Sequence, residues 1–134
     1  MRTRTPGVDA SSKVDSHSGK RPQIAIVDGQ PSCRIGLTHH IRKLGLWDVA
    51  WASATAEEAQ EKLISLVPDL LILEIELHGK DGLEFIKHLR PMYPDLRILV
   101  HSMHSEEFYA ERCIRAGALG YLHKMAPMLS LIHI

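Results

Sequence analysis

The sequence predicts an α/β fold, with a doubly wound, five-stranded parallel sheet at its centre. From residue 23 onward, short apolar runs alternate with amphipathic stretches, which is typical of successive strand and helix units. Two of these runs are continuous rather than alternating, as expected for strands that are buried on both faces. A length of 134 residues with 45% hydrophobic content suits one domain with its own core.

Five strands and four helices are expected in alternation. The strands are predicted over residues 23–28, 48–53, 69–75, 96–102 and 120–123. The helices are predicted over residues 31–44, 55–67, 82–90 and 105–116. Gly45, Pro91 and Gly117 are expected to end the first, third and fourth helices, because glycine and proline interrupt helical patterns.

Each helix is expected to turn one apolar face towards the sheet. The second helix also begins with Thr55 and has Glu58 three residues later, which is a capping box. The residues expected to face inward are Leu37, Ile41 and Leu44 in the first helix, Ala59, Leu63, Leu66 and Val67 in the second, Leu83, Ile86 and Leu89 in the third, and Phe108, Cys113 and Ile114 in the fourth.

Composition and charge exclude several classes of protein. Lysine plus arginine balance aspartate plus glutamate at 16 each, so the global charge favours neither a nucleic-acid surface nor a membrane surface. No apolar run could span a bilayer, and the N-terminus has no signal peptide, so we expect a cytoplasmic protein. Cys33 and Cys113 lack the spacing of a zinc site and are expected to be reduced.

Residues 1–21 are expected to form a disordered tail, because they contain almost no sizeable aliphatic side chains and are rich in Ser, Gly, Lys and Arg. The ordered domain is expected over residues 22–127. Residues 128–134 are expected to be a non-native or truncated C-terminus. The last six residues of the chain, LSLIHI, are also the peptide encoded by one reading frame of a transposon-end adapter used in sequencing libraries.

Polar side chains stand at the carboxyl ends of four predicted strands. They are Asp28, Glu74, Ser102 and Lys124. In a doubly wound sheet the ligand crevice lies outside these strand ends, so the four side chains are expected to converge on one rim. Two carboxylates, a hydroxyl and an ammonium are groups suited to holding a divalent cation and a phosphoryl group.

Four segments make the sequence resemble the receiver domains of bacterial two-component systems over residues 23–127. These segments are IVDGQP, LLILEIELHGKDGLEFI, ILVHSMHSE and AGALGYLHK. The last two look most like the transcription-factor subfamily that carries a C-terminal helix-turn-helix domain. The resemblance implies a flavodoxin-like receiver fold with strand order 2-1-3-4-5, followed by a fifth helix. In this chain that helix is expected to be truncated.

The resemblance also implies roles for individual residues. Glu74 stands at the position of the aspartate that accepts phosphate from a histidine kinase. Ser102 and Lys124 match the residues that read the phosphoryl group, and Tyr121 matches an aromatic switch position. The resemblance implies a magnesium site formed by Asp28, Glu74 and the backbone carbonyl of Glu76.

Two departures from the family pattern weaken the implied chemistry. Glu74 is one methylene longer than aspartate, which moves its carboxylate by about 1.5 Å, and a misplacement of about 1 Å can cost a factor of roughly 100 in rate. The second acidic position is Gly29, which supplies no oxygen ligand to a hard cation. His78 and Met125 are further departures. We therefore expect any magnesium binding to be weak.

The sequence thus favours a phosphorylation-independent receiver that is not an enzyme and that regulates a DNA-binding output domain missing from this chain. Glu74 either imitates a phosphorylated aspartate or only fills the pocket by pairing with Lys124. One alternative is a receiver that is still phosphorylated in a magnesium-dependent way. Another is a small hydrolase with Asp28 as nucleophile, although Gln30 breaks the DxD pattern of such enzymes.

The expected partners follow from the same resemblance. They are a histidine kinase or other signalling protein and a second copy of the chain in a homodimer, with DNA bound only through the missing output domain and no membrane. His101 and His104 flank Ser102 and lack ligand spacing, so they are expected at the surface or the pocket rim rather than as metal ligands.

Overall fold

The computed structural model describes residues 20–77 and 80–126. Most of the predicted disordered tail, His78 and the predicted C-terminal truncation lie outside the described residues. The main elements, in chain order, are β1 (Gln23–Val27), α1 (Pro31–Leu44), β2 (Asp48–Ser53), α2 (Ala56–Ser65), β3 (Leu70–Leu73), α3 (Gly82–Met92), β4 (Arg97–Ser102), α4 (Glu106–Ala116) and β5 (Gly120–His123). A short antiparallel ribbon, Glu76–Leu77 with Lys80–Asp81, connects β3 to α3.

The five strands form one parallel sheet in the order β2-β1-β3-β4-β5, which confirms the predicted order. In its register, Val27 pairs with Leu73, Leu73 with Val100, and Val100 with Tyr121. The ends of β1 and β3 are therefore level with each other, and β4 and β5 continue two residues further and end level at Ser102 and His123. Whatever follows them emerges at one edge of the sheet.

Two apolar clusters, one on each face of the sheet, hold the helices in place. Leu37 and Ile41 of α1 pack with Ile24, Ile26 and other residues on one face. On the other face, α2, α3 and α4 pack on the alternate strand residues. Because side chains alternate across a strand, the continuous apolar runs of β3 and β4 supply both clusters.

Residues at the ends of two helices differ from the prediction. The predicted inward positions Leu66 and Val67 are 40% and 47% exposed. The reason is that α2 ends at Ser65 and Leu66 is already extended, so the helical face does not continue. In contrast, α3 runs past Pro91 to Met92, where the backbone N–H of Tyr93 donates to the Leu89 carbonyl and closes the last turn.

The inward face predicted for α4 is wrong at two of three positions. Cys113 is fully buried, but Phe108 is 69% exposed and Ile114 is 48% exposed. Six residues at 3.6 per turn separate Phe108 and Ile114 by about 120° around the helix axis, so they cannot share one face. The helix packs instead through the small residues Cys113 and Ala116.

Candidate functional site

The candidate site lies at the carboxyl edge of the sheet, where four of the predicted residues come together. Asp28 directly follows β1, and its N–H donates to the Ser53 carbonyl. Glu74 directly follows β3, and its N–H donates to the Val27 carbonyl at 2.9 Å. Lys124 directly follows β5, and its N–H donates to the carbonyl of Ser102 at 2.7 Å. Sheet register therefore fixes the backbone of each of these residues.

The Lys124 ammonium is the centre of the site. Its Nζ atom lies 2.7 Å from Oε1 of Glu74, 2.9 Å from Oδ2 of Asp28 and 2.6 Å from Oε1 of Gln30. An ammonium has three N–H donors, so these three oxygens use all of them. The side chains of Lys124, Asp28 and Glu74 are only 5%, 3% and 9% exposed. We call the side chains of Asp28, Gln30, Glu74 and Lys124 the lysine cage.

Both oxygens of Glu74 are engaged. Oε1 faces Lys124, and Oε2 accepts the backbone N–H of Glu76 at 3.0 Å. Burial by itself would raise the pKa of Glu74. Hydrogen bonds from Lys124, from the backbone of Glu76 and from the Ser102 hydroxyl outweigh burial and hold this pKa below its ordinary value. The carboxylate is therefore ionised at neutral pH.

Lys124 is charged for the complementary reason. Burial would lower the pKa of its ammonium, but hydrogen bonds to Glu74 and Asp28 and their negative charges raise it well above its ordinary value. Two carboxylates therefore face one cation. Such a buried cluster depends above all on the lysine, because its removal leaves two carboxylates uncompensated.

Asp28 is fixed by the start of α1 as well as by the cage. Its Oδ1 atom accepts the backbone N–H of Gln30 at 2.8 Å, and its carbonyl accepts Nη1 of Arg34 at 2.7 Å. Sequence reasoning assigned no role in the pocket to Gln30 or Arg34. The position of Gln30 in IVDGQP, one residue after Gly29, was the one signal that could have identified it.

Ser102 and Tyr121 organise the loop between β4 and α4. The Ser102 hydroxyl accepts the backbone N–H of His104 at 3.2 Å, and the Tyr121 hydroxyl donates to the His104 carbonyl at 2.5 Å. The His104 ring lies 3.1 Å from Oε1 of Glu76 and packs on the Tyr109 ring, with centroids 4.6 Å apart. The predicted switch residue Tyr121 therefore contacts this loop, which begins at Ser102.

One histidine expected at the surface or the rim is in the interior. His101 is 4% exposed, and its Nδ1 atom has no hydrogen-bond partner within residues 20–77 and 80–126. Burial, followed by the positive charge of Lys124, lowers the pKa of His101 below its ordinary value. Because its pKa is lowered, His101 is neutral at pH 7. His104, in contrast, is half-buried at the rim, where it was expected.

The residues present fit a magnesium ion poorly. The cleft over the cage has a volume of about 190 Å³ and is lined partly by Asp28, Gly29, Glu74 and Glu76. Lys124 already engages the carboxylates of Asp28 and Glu74, and Gly29 has no side chain that could supply a further oxygen. In the described part of the chain, no three His, Cys, Asp or Glu residues form a group that could hold a metal. Magnesium requires several well-placed oxygens.

No helix in the described segments is both long enough and apolar enough to cross a bilayer.

The comparisons with known proteins agree with the resemblance drawn from the motifs. Residues 24–134 match the family model of the response regulator receiver domain. The chain is 36% identical over 104 residues to the transcriptional activator protein ExaE of Pseudomonas putida, covering 77% of this chain and 48% of that protein.

A second relative, the fimbriae Z protein of Salmonella typhimurium, is 36% identical over 105 residues, which cover 78% of this chain and 50% of that protein. The chain thus spans about half the length of the curated relatives it matches. Among solved structures, it is similar to a LuxR-family two-component response regulator from Aurantimonas sp. SI85-9A1. The TM-score is 0.79 at 29% identity, with 85% of this chain and 81% of that chain covered.

Proposed function

This chain belongs to the response regulator receiver family of two-component signalling, and we propose that its pocket works without phosphorylation at the acceptor position. The observation that carries the proposal is the 2.7 Å contact between Lys124 Nζ and Glu74 Oε1. In this contact the Lys124 ammonium has a negatively charged partner at the acceptor position without any phosphoryl group.

The chemistry of phosphoryl transfer supports the same conclusion. Catalysis of this reaction consists mostly of positioning the reactants and neutralising charge on the transferred group. Glu74 places its carboxylate one methylene too far out, and its second oxygen is bonded to the Glu76 N–H. Gly29 contributes no charge to a metal site. Both parts of the catalytic effect are therefore weakened in one pocket.

We propose that the pocket instead holds the domain in one fixed conformer. The cage gives Lys124 a permanent anionic partner, so no donor is required to change its environment. Glu74 is linked to Glu76, and Glu76 is paired with His104 of the loop that Tyr121 contacts. A continuous set of contacts thus joins the acceptor position to the aromatic switch position. In this proposal the domain is a regulatory module and not an enzyme.

The alternative hydrolase function gains no support from the geometry of Asp28. One of its carboxylate oxygens faces Lys124 at 2.9 Å, and the other accepts the Gln30 N–H at 2.8 Å. The residue is 2% exposed. A nucleophilic carboxylate must reach an incoming substrate, and this one is both shielded and fully hydrogen bonded.

The direct test is incubation of the protein with acetyl phosphate and magnesium, followed by intact mass measurement. We expect no gain of a phosphoryl group. A receiver domain with an aspartate at the acceptor position, treated in parallel, is the positive control for the donor. Stoichiometric, magnesium-dependent phosphorylation of the unaltered protein would instead establish the alternative, a receiver that still accepts phosphate.

We further propose that the receiver acts on a DNA-binding output domain encoded beyond this chain, and that a histidine kinase or other signalling protein, or a second copy of the chain, contacts the receiver. One relative is named as a transcriptional activator, and this chain spans about half the length of the relatives it matches. The genomic sequence that follows the codon for Ala126 tests the first part. A reading frame that encodes a helix-turn-helix domain is expected, and an immediate natural stop codon would contradict it.

A further inference from the structure

Gln30 is the one uncharged residue of the lysine cage. Its Oε1 atom lies 2.6 Å from Lys124 Nζ, although the two residues are 94 positions apart in the chain. An ammonium carries donors only, so the group that faces it must be the amide oxygen and not the amide nitrogen. The Sγ atom of Cys33 lies 3.3 Å from the same oxygen and donates to it. Two donors therefore fix the orientation of the amide.

The backbone of Gln30 is fixed as firmly as its side chain. Its N–H donates to Oδ1 of Asp28 at 2.8 Å, and its carbonyl accepts the N–H groups of Cys33 and Arg34, both at 3.1 Å. One residue thus connects the loop after β1 to the first turn of α1. The fixed backbone places the start of the side chain beside Lys124.

Gln30 also differs from the other cage residues in its exposure. The side chains of Asp28, Glu74 and Lys124 are almost completely buried, whereas Gln30 is an exposed residue that lines the cleft over them. Of the three oxygens around the Lys124 ammonium, the Gln30 oxygen is the one that belongs to an exposed residue. If this oxygen were lost, the third N–H of Lys124 would need another partner, which solvent entering the cleft could provide.

We propose that Gln30 is a positioning residue that closes the cage: its amide oxygen holds the Lys124 ammonium on Asp28 and Glu74 and covers it from solvent. The proposal rests on the function inferred above, because it explains how the pocket keeps its lysine with Gly29 at the second acidic position. A neutral amide gives the ammonium a third oxygen without adding a third negative charge. The pocket is therefore filled by its own side chains.

The test compares three variants of the full chain. Gln30→Met keeps the length of the side chain but removes the acceptor, Gln30→Glu restores an acceptor, and Gln60→Met makes the same exchange on α2, away from the pocket. The readout is the rate at which a water-soluble amine-acetylating reagent labels Lys124, mapped by mass spectrometry. The ammonium signal of Lys124 in ¹H–¹⁵N spectra gives a second readout, because it is visible only while its hydrogens exchange slowly.

We expect labelling of Lys124 to rise about tenfold in Gln30→Met, the factor that follows from losing one hydrogen bond to a charged group. The ammonium signal should broaden in the same variant. Gln30→Glu should label no faster than the wild type, because its added negative charge favours the protonated ammonium, and Gln60→Met should label at close to the wild-type rate. Circular dichroism melts of all variants separate this local effect from general unfolding, which would expose every lysine together.

Glu74→Gln distinguishes the two levels of the proposal. If Gln30→Met labels like the wild type while Glu74→Gln labels faster, Gln30 is not a positioning residue, but the Glu74–Lys124 pair remains. If Glu74→Gln also labels like the wild type, the pair itself does not hold the lysine, and the proposed function fails with it. Faster labelling in both variants, with the control unchanged, supports both.

Discussion

Lys124 Nζ and Asp28 Oδ2 lie 2.9 Å apart with both side chains almost entirely buried, and the same ammonium lies 2.7 Å from Glu74. A cation at this place neutralises one of two carboxylates that would otherwise repel each other. The residues that the family pattern associates with reading a phosphoryl group and binding a metal are here bonded to one another.

Removal of the lysine should be strongly destabilising. Lys124→Met leaves Asp28 and Glu74 buried and unpaired, which typically costs about 3 kcal/mol or more. The matched control is Arg115→Met, since Arg115 pairs with Glu111 on the surface of α4 with both side chains about three-quarters exposed. The control should cost less than about 1 kcal/mol. Urea denaturation measures both values, and similar losses in the two variants would contradict a buried cage.

Repair of the pocket should require two changes. Glu74→Asp alone should recover only slight phosphorylation, because the metal site still lacks a carboxylate at Gly29. Glu74→Asp with Gly29→Asp should recover much more, and magnesium affinity should rise in the same order, since each carboxylate adds oxygen ligands and negative charge. Acetyl phosphate labelling and calorimetric magnesium titration measure the two effects. If the double variant stays inert, other departures such as Met125 also matter.

Acid should destabilise the domain through Glu74. Its pKa in the folded state lies below the ordinary value of 4.5, so the unfolded chain takes up the proton first as the pH falls. The stabilisation is complete above pH 4.5 and is lost as the pH falls through the folded-state pKa. Denaturation measured across this range should show a steeper loss for the wild type than for Glu74→Gln. Equal slopes would show that Glu74 carries no linked stabilisation.

A second loss of stability should begin at higher pH because of His101. Its folded-state pKa lies below the ordinary value of 6.5, so the unfolded chain binds this proton more readily. Stability should therefore decrease as the pH falls below 6.5, before Glu74 contributes. His101→Leu, which fills a similar volume, should flatten the profile between pH 6.5 and 5. His39→Leu on the exposed face of α1 is the control and should leave the profile unchanged.

Tyr121 should hold the loop after β4 through its hydroxyl. Tyr121→Phe removes the bond to the His104 carbonyl and should cost about 1 kcal/mol. Hydrogen exchange of the segment from Met103 to Ser105 should become faster in this variant. Tyr109→Phe, which keeps the ring that His104 packs on, is the control. Unchanged exchange in Tyr121→Phe would show that the ring and not the hydroxyl fixes the loop.

Much of the fold could be predicted from local patterns. The alternation of apolar runs and amphipathic stretches placed the strands within a few residues, and Pro31 and Gly45 marked the ends of α1 correctly. The same patterns failed for the inward face of α4, since Phe108 and Ile114 are hydrophobic but lie on different sides of the helix. Hydrophobicity alone does not specify which side of a helix meets the sheet.

The sequence by itself determined which residues stand at the ends of the strands, and so brought Asp28, Glu74, Ser102 and Lys124 to one rim. Strand ends are a local property, and a parallel sheet aligns them. Only the tertiary structure decided that Lys124 reaches Asp28, Glu74 and Gln30 together, and that His101 is buried. The path of a long side chain depends on the charges and donors that distant segments place around it, and no local pattern of residues contains that information.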